Sequence, residues 1–202
     1  MVLGVGFDYL MPGVPTSRRY APSVNERLDP LVNTSASDFF EHRGYHHAWG
    51  ECNCFDMKMQ LADFLPYDHQ IGDIIDGIHY RWATPEDLEG IVVCADDACQ
   101  YQDESFSKYY RNPDLYQPDG QERVLIAEQA GRIVGTLIVC VETEAPDTGN
   151  VGCTCVATDM THQRIATTMV RLGTRHLKTL GLSKASLSYT YSNLDALYGA
   201  SG

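Results

Sequence analysis

The sequence predicts a mixed α/β fold of the α+β type, in which helices flank a mixed central sheet. Three features predict it: β-branched runs, stretches in which apolar residues recur at helical spacing, and glycine- or proline-containing turns between them. After residue 77 these features follow in the order strand, helix, hairpin, strand, helix, strand and helix. A chain of 202 residues can bury a substantial core.

The first elements of this order lie between residues 79 and 120. Residues 79–82 are predicted to form a short strand, and Thr84 followed by Pro85 begins a helix that continues to Ala98. Residues 105–120 combine several tyrosines with two prolines and a glycine. This composition predicts a mobile, aromatic-rich loop with a short helix, of the kind that shapes substrate pockets.

The later elements are predicted from β-branched runs and from helical spacing that ends at a glycine. A hairpin is expected around Ala130 and Gly131, and Gly181 ends the longest helix. The predicted strands are 123–128, 132–142, 150–157 and 185–191, and the predicted helices are 165–180 and 193–201.

Charge excludes some classes of partner. The formal net charge is −12, so the surface repels phosphate backbones and anionic lipid headgroups. We therefore expect neither nucleic acid nor a membrane as a partner. Two explanations of the charge stay open: it keeps the protein in solution, or it attracts a cationic amine substrate.

The N-terminal segment and the cysteines indicate the compartment. Residues 1–10 contain no Lys or Arg and no long apolar core, so they do not resemble a secretory signal, and no apolar run reaches membrane-spanning length. The seven cysteines lack the spacing of a zinc site. We expect no metal, and reduced thiols in the cytoplasm, several of them buried as small apolar side chains.

The segment with the clearest chemistry joins a strand to a helix through a polar turn at residues 153–168. Such a turn presents free N–H groups and the positive end of the helix dipole, which together suit a pyrophosphate. Residues 156–170, VATDMTHQRIATTMV, resemble the acyl-CoA-binding motif of the GNAT superfamily, Q/R-x-x-G-x-G/A. Asn193 and the pattern Leu197-Tyr198-x-x-x-Gly202 resemble the next motif of that family.

This resemblance implies an N-acetyltransferase that moves an acetyl or other acyl group from acetyl-CoA to a primary amine of a small molecule or peptide. It implies that amides of the turn hold the CoA pyrophosphate, that the N–H near Val156 polarises the thioester, and that Tyr198 protonates the departing thiolate. The implied cofactor-binding residues are Cys155, Val156, Ala157, Gln163, Arg164, Ile165, Ala166, Thr167, Thr168 and Asn193.

Arg164 stands where the motif has a glycine that lets the backbone approach phosphate closely. The sequence therefore predicts either a different path for the turn or a reduced affinity for acyl-CoA. The guanidinium of Arg164 offers compensation, because its geometry suits phosphate.

Transfer to an amine also requires a base. Glu142 and Glu144, at the end of a predicted strand beside the cleft, and Asp147 in the loop that follows are the candidates, with Tyr198 as the acid. The alternatives are that these carboxylates are ordinary solvated loop residues and that Tyr198 only packs at a helix end. His162 is a further candidate because its ordinary pKa is near neutrality, although beside a pyrophosphate it would serve equally well as a positive charge.

A second resemblance lies near the start of the chain. Residues 33–45, NTSASDFFEHRGY, resemble the late helix of the GNAT family, N-x-x-A-x-x-L-Y-E-x-x-G-F, and residues 49–61 resemble its final strands. Phe40 occupies the tyrosine position of that motif and has no phenol. The late motif thus precedes the early motifs of residues 78–202.

Two architectures explain this order: a piece of a tandem double-GNAT protein, or a permuted-like unit in which the N-terminal strands complete the sheet. We favour the second, because a sheet that ended after Tyr191 would expose an edge. The expected segments are 1–65 of C-terminal type, a connector at 66–77, and 78–202 of N-terminal type, in one compact unit. Exchange of strands between two chains, giving a homodimer, would meet the same need.

The sequence is also compatible with a function other than acyl transfer. A non-catalytic GNAT-like module that binds acyl-CoA or a partner protein is favoured by Phe40 and by the altered turn, and opposed by Tyr198. A nucleotide-binding α/β protein is the least favoured, because no glycine-rich fingerprint follows a predicted strand.

Overall fold

One seven-stranded sheet organises the computed structural model, which describes residues 42–43, 54–99, 106–142, 147–191 and 197. The strands are β1 (Cys54–Gln60), β2 (Ile74–Ile75), β3 (Ile78–Trp82), β4 (Glu122–Gln129), β5 (Arg132–Val141), β6 (Thr148–Val156) and β7 (Lys184–Tyr191). Their order across the sheet is β1-β7-β6-β5-β4-β3-β2. Within this sheet only β6 and β7 pair in parallel, and the other neighbours are antiparallel.

Helices cover both faces of this sheet. They are α1 (Leu88–Ala98), α2 (Ser107–Tyr110) and α3 (Ile165–Thr179), with single 3-10 turns at Pro85–Asp87, Pro113–Tyr116 and Thr158–Met160. Neighbouring residues of a strand point to opposite faces. Accordingly Val124 packs in the cluster that contains α1 and α2, whereas Leu125 packs in the larger cluster beneath α3.

Local signals fix the ends of these elements much as the sequence predicts. The Thr84 and Asp87 side chains form a capping box at the start of the first helical segment, with Pro85 at its first position. The turn of the β4–β5 hairpin places Ala130 and Gly131 at φ values of +51° and +76°, which matches the twist of the flanking strands. Gly181, at φ +81°, follows the end of α3.

The predicted fold class is confirmed, including a strand from the N-terminal part that completes the sheet. β1 lies against β7 in antiparallel register, so β7 does not form the edge of the sheet. The segment between β1 and β2 docks on α3: the Arg171 guanidinium stacks 4.0 Å from the Tyr67 ring centre, and Lys178 Nζ donates to the Phe64 carbonyl at 3.1 Å. The division into segments stays a prediction, and the motif at 33–45 falls, apart from residues 42–43, outside the described residues.

The short helix predicted within residues 105–120 is present as α2, whereas the prediction of a mobile loop does not fit residues 106–120, the part that the structure describes. Tyr110, Leu115 and Tyr116 are buried in the core beside α1. The five cysteines whose side chains are described carry free thiols, and Cys94, Cys99 and Cys155 among them are buried, as predicted. None of the described helices has the length and apolar character needed to cross a membrane.

Candidate functional site

The strands β6 and β7 separate partway along their length. They pair only where Thr148–Asn150 lies against Lys184–Ser186. Beyond this point β6 continues along β5 to Val156, and β7 continues along β1 to Tyr191. A wedge therefore opens between the C-terminal halves of the two strands, and the edges that face it are not paired with each other.

A bulge in β6 adjoins this wedge. The register between β5 and β6 shifts between Thr136 and Ile138, and Cys153 has a φ of +50°. A bulge bends its strand and increases the local twist, so it turns β6 away from β7. After the bulge the Ala157 N–H donates to Val134 of β5 at 3.0 Å. Because alternate residues of a ladder bond to opposite sides, the Val156 N–H points into the wedge.

The turn that follows β6 is firmly anchored at its beginning. The Thr158 N–H and hydroxyl both bind the carboxylate of Asp97 in α1, the N–H at 2.7 Å. Arg132 of β5 lies 2.6 Å from the Asp159 carboxylate. These contacts hold the 3-10 turn at Thr158–Met160 against α1 and the β4–β5 hairpin.

The second part of the same turn leaves its backbone donors open. The first intrahelical bond of α3 runs from the Thr168 N–H to the Arg164 carbonyl at 2.9 Å. Within the described part of the chain, the N–H groups of residues 162–167 have no protein acceptor. They lie at the positive end of the α3 dipole, where an anion is stabilised.

Two residues of this turn adopt the left-handed backbone conformation that favours glycine. His162 has a φ of +65°, and Arg164, the N-cap of α3, has a φ of +61°. The altered motif therefore keeps the glycine-like path at Arg164 despite the side chain. That conformation costs about 1–2 kcal/mol in a residue with a Cβ atom, a kind of strain that is concentrated at functional sites.

The predicted cofactor-binding residues that the structure describes surround the turn and differ in what they offer. Ile165 is buried, so only its N–H faces outward, and the Cys155 side chain lies in the core beside α1. Gln163 contacts the Met160 sulfur at 3.5 Å, and Ala166, Thr167 and Thr168 are half-buried in the first turn of α3. Asn193 lies outside the described residues.

Among the predicted catalytic residues Glu142, Glu144 and Tyr198, the structure describes Glu142. Glu142 lies beside the paired parts of β6 and β7, Thr148–Asn150 and Lys184–Ser186, which we call the closed end. There Ser186 donates to the Glu142 carboxylate at 2.5 Å. Glu144 and Tyr198 lie outside the described residues, although the adjacent Leu197 is helical and packs against the core. Sequence reasoning did not single out Asp97, Tyr110 or Thr136, because their partners are distant in the chain and no local pattern marks them.

Comparison with known proteins identifies the family to which the sequence is similar. Residues 88–198, more than half of the chain, match the model of the acetyltransferase (GNAT) family. No curated protein matches the sequence.

Solved structures resemble the chain at low sequence identity, which shows the fold alone. A GCN5-related N-acetyltransferase from Sphaerobacter thermophilus is 18% identical with a TM-score of 0.57, over 80% of this chain and 49% of that one. A fungal GH3 β-N-acetylglucosaminidase with a GCN5-related glucosamine N-acetyltransferase region is 18% identical with a TM-score of 0.60, over 83% and 21%. The chain thus spans about half or less of the length of these two proteins. On its family match and its sheet, the chain belongs to the GNAT acetyltransferase family.

Proposed function

We propose that this protein binds acetyl-CoA, or another acyl-CoA, and transfers the acyl group to a primary amine of a small molecule or peptide. The observation that carries the proposal is the run of N–H groups at residues 162–167, which have no acceptor among the described residues and lie at the positive end of α3. These donors suit a pyrophosphate. The adjoining wedge lies beside the Val156 N–H and offers a path for the acyl end.

In the proposed reaction the base takes a proton from the ammonium group of the substrate, and the neutral amine nitrogen then attacks the thioester carbonyl. The C–S bond breaks, and the nitrogen loses its second proton as the amide forms. The Val156 N–H donates to the carbonyl oxygen as negative charge develops on it. Tyr198 gives its proton to the departing CoA thiolate. We propose a cationic amine as the acceptor, because the net charge of −12 favours the approach of such a substrate.

We assign the base to a group other than Glu142. The Glu142 carboxylate is held by Ser186 at the closed end of the strand pair, which supports a structural role. Glu144 follows two residues later and is the carboxylate that we propose as the base. Burial raises the pKa of Tyr80 to about 12, so this phenol keeps its proton and does not serve as the base.

Calorimetric titration with acetyl-CoA tests the proposal. We expect saturable binding, and no binding at millimolar acetyl-CoA would overturn it. Tyr198→Phe should then lower turnover with an amine while leaving the affinity for CoA intact, and unchanged turnover would remove Tyr198 from the mechanism. Binding without transfer to any amine would favour the alternative, a non-catalytic acyl-CoA-binding module.

A further inference from the structure

A buried tyrosine is joined to the bulge of β6. The Tyr110 hydroxyl donates to the backbone carbonyl of Cys153 at 2.6 Å and accepts from the Thr136 hydroxyl at 2.8 Å. The Tyr110 carbonyl in turn accepts from the Tyr116 hydroxyl at 2.6 Å. Tyr110 is fully buried, so a hydroxyl left there without partners would be costly.

The bulge depends on a donor of this kind. Cys153 holds a left-handed conformation that is unfavourable for a residue with a Cβ atom, and it stands where β6 leaves its regular register with β5. Cys153 is half-buried, and a carbonyl that is turned out of the ladder there is stabilised by a donor. The Tyr110 hydroxyl supplies that donor from the helical layer on the α1 face. Burial raises the pKa of Tyr110 well above its ordinary value, so the phenol keeps its proton.

The bulge determines the direction of the backbone that follows it. Cys155 returns to register opposite Thr136, the residue whose hydroxyl also binds Tyr110. Val156 comes next, with its N–H in the wedge. Tyr110 therefore links β5 and β6 just before Val156, where the direction of the Val156 N–H is set.

We propose that Tyr110 is a positioning residue, which fixes the β6 bulge and through it the direction in which the Val156 N–H meets an acyl thioester. This inference rests on the proposed function. Tyr110 touches no reacting atom and acts through the backbone of residues 153–156. It belongs to the aromatic segment expected to be a mobile loop, so that segment supports the wedge from within the core.

Tyr110→Phe tests this, with Tyr116→Phe as its matched control. Each variant removes one tyrosine hydroxyl that donates to a backbone carbonyl at 2.6 Å, but only the first hydroxyl reaches β6. Affinities for acetyl-CoA and for CoA are measured by calorimetry, because CoA lacks the thioester carbonyl. We expect Tyr110→Phe to lower the preference for acetyl-CoA over CoA about tenfold, as for the loss of about 1.4 kcal/mol, and Tyr116→Phe to leave the preference unchanged.

The outcomes separate the two proposals. If the unsubstituted protein binds neither ligand, the proposed function fails. If it binds both and the two variants keep the same preference, the role of Tyr110 is overturned. Amide hydrogen exchange of residues 153–156 in the ligand-free protein should be faster in Tyr110→Phe than in Tyr116→Phe, and equal exchange also contradicts the role. Should Tyr110→Phe not fold, Thr136→Val removes the hydrogen bond that holds the Tyr110 hydroxyl at β5 and leaves its bond to Cys153 in place. Both measurements should then change in the same direction but by less, and unchanged values would contradict the role.

Discussion

The two ends of the β6–β7 pair differ in whether their polar groups have partners. We call the wedge together with the turn that follows β6 the open end. At the closed end, Ser186 binds Glu142, and Asp147 accepts from Ser183 and from Lys184 at 2.8 and 3.0 Å. At the open end, the N–H groups of residues 162–167 have no acceptor among the described residues, and Arg164 holds a strained conformation.

This difference separates the part of the sheet built for stability from the part available for binding. Buried polar groups in a folded protein normally find partners, and local backbone strain is usually relieved unless a function needs it. At the closed end the polar side chains are paired within the protein, whereas at the open end the N–H groups of the exposed residues 162–164 are available to a ligand and Arg164 keeps its left-handed conformation. Substitutions that remove a partner at the closed end should therefore lower stability and leave ligand affinity unchanged, whereas a charge placed at the open end should change ligand affinity.

The largest effect is expected from Thr167→Asp in the first turn of α3. A carboxylate there should raise stability by about 0.3–1 kcal/mol, because it complements the helix dipole. It should also lower acetyl-CoA affinity a hundredfold or more, since like charges about 5 Å apart repel by roughly 3 kcal/mol at an effective dielectric constant of 20. Calorimetry and thermal unfolding measure the two changes.

Thr167→Asn is the matched control, because it has the size of aspartate without the charge. We expect it to bind acetyl-CoA within a few-fold of the unsubstituted protein. An aspartate variant that binds as tightly as the asparagine variant would place the pyrophosphate elsewhere.

At the closed end, Ser186→Ala should lower the free energy of unfolding by about 1–2 kcal/mol, because it leaves a half-buried carboxylate without its donor. Acetyl-CoA affinity should not change. Glu142→Gln keeps an acceptor for Ser186 and should preserve both stability and turnover. A large loss of turnover in Glu142→Gln with normal stability would instead make Glu142 the base.

The strain at the open end can be measured at Arg164. Arg164→Gly and Arg164→Ala both remove the guanidinium, but only glycine adopts a φ of +61° without steric cost. The glycine variant should therefore be more stable than the alanine variant by about 1 kcal/mol in urea unfolding. The pair His162→Gly and His162→Ala should differ in the same direction, and a more stable alanine variant at either position would refute the strain.

The smallest effect is expected in how the stability of the protein at the closed end depends on acid pH. The hydrogen bond from Lys184, followed by those from Ser183 and Thr148, lowers the pKa of Asp147 from its ordinary 3.8 to about 2. A lowered pKa adds stability at pH values above 3.8, and this stability is lost as the pH falls towards 2. In Asp147→Asn the free energy of unfolding should therefore fall less between pH 3.8 and about 2. An unchanged pH dependence in acid unfolding would contradict the contact between Asp147 and Lys184.

Much of the fold could be predicted because its signals are local. The β4–β5 hairpin, β7 and α3 follow from β-branched runs, helical spacing, Gly131 and Gly181, and the structure confirms them. The segment containing Tyr110 was misjudged, because its tyrosines and prolines resemble a loop and its partner Cys153 lies 43 residues away. Whether such a segment is buried depends on tertiary packing, which local composition does not determine.

The candidate site shows the same limit. The polar turn before α3 was predicted from its motif, but its path was not, because whether Arg164 keeps the conformation of a glycine depends on anchors such as Asp97 and Arg132. The separation of β6 from β7 also depends on strands distant in the chain. A strand from the N-terminal part beside β7 is predicted from the resemblance of residues 33–61 to the end of a GNAT domain and from the edge that β7 would otherwise expose.

The most direct measurement follows backbone amide resonances of isotope-labelled protein during titration with acetyl-CoA. The N–H groups of residues 162–167 and of Val156 should shift together and saturate at one ligand concentration, while those of residues 147–150 at the closed end should stay in place. Saturable shifts confined to other parts of the molecule, with residues 162–167 unmoved, would contradict the assignment of this turn as the acyl-CoA site.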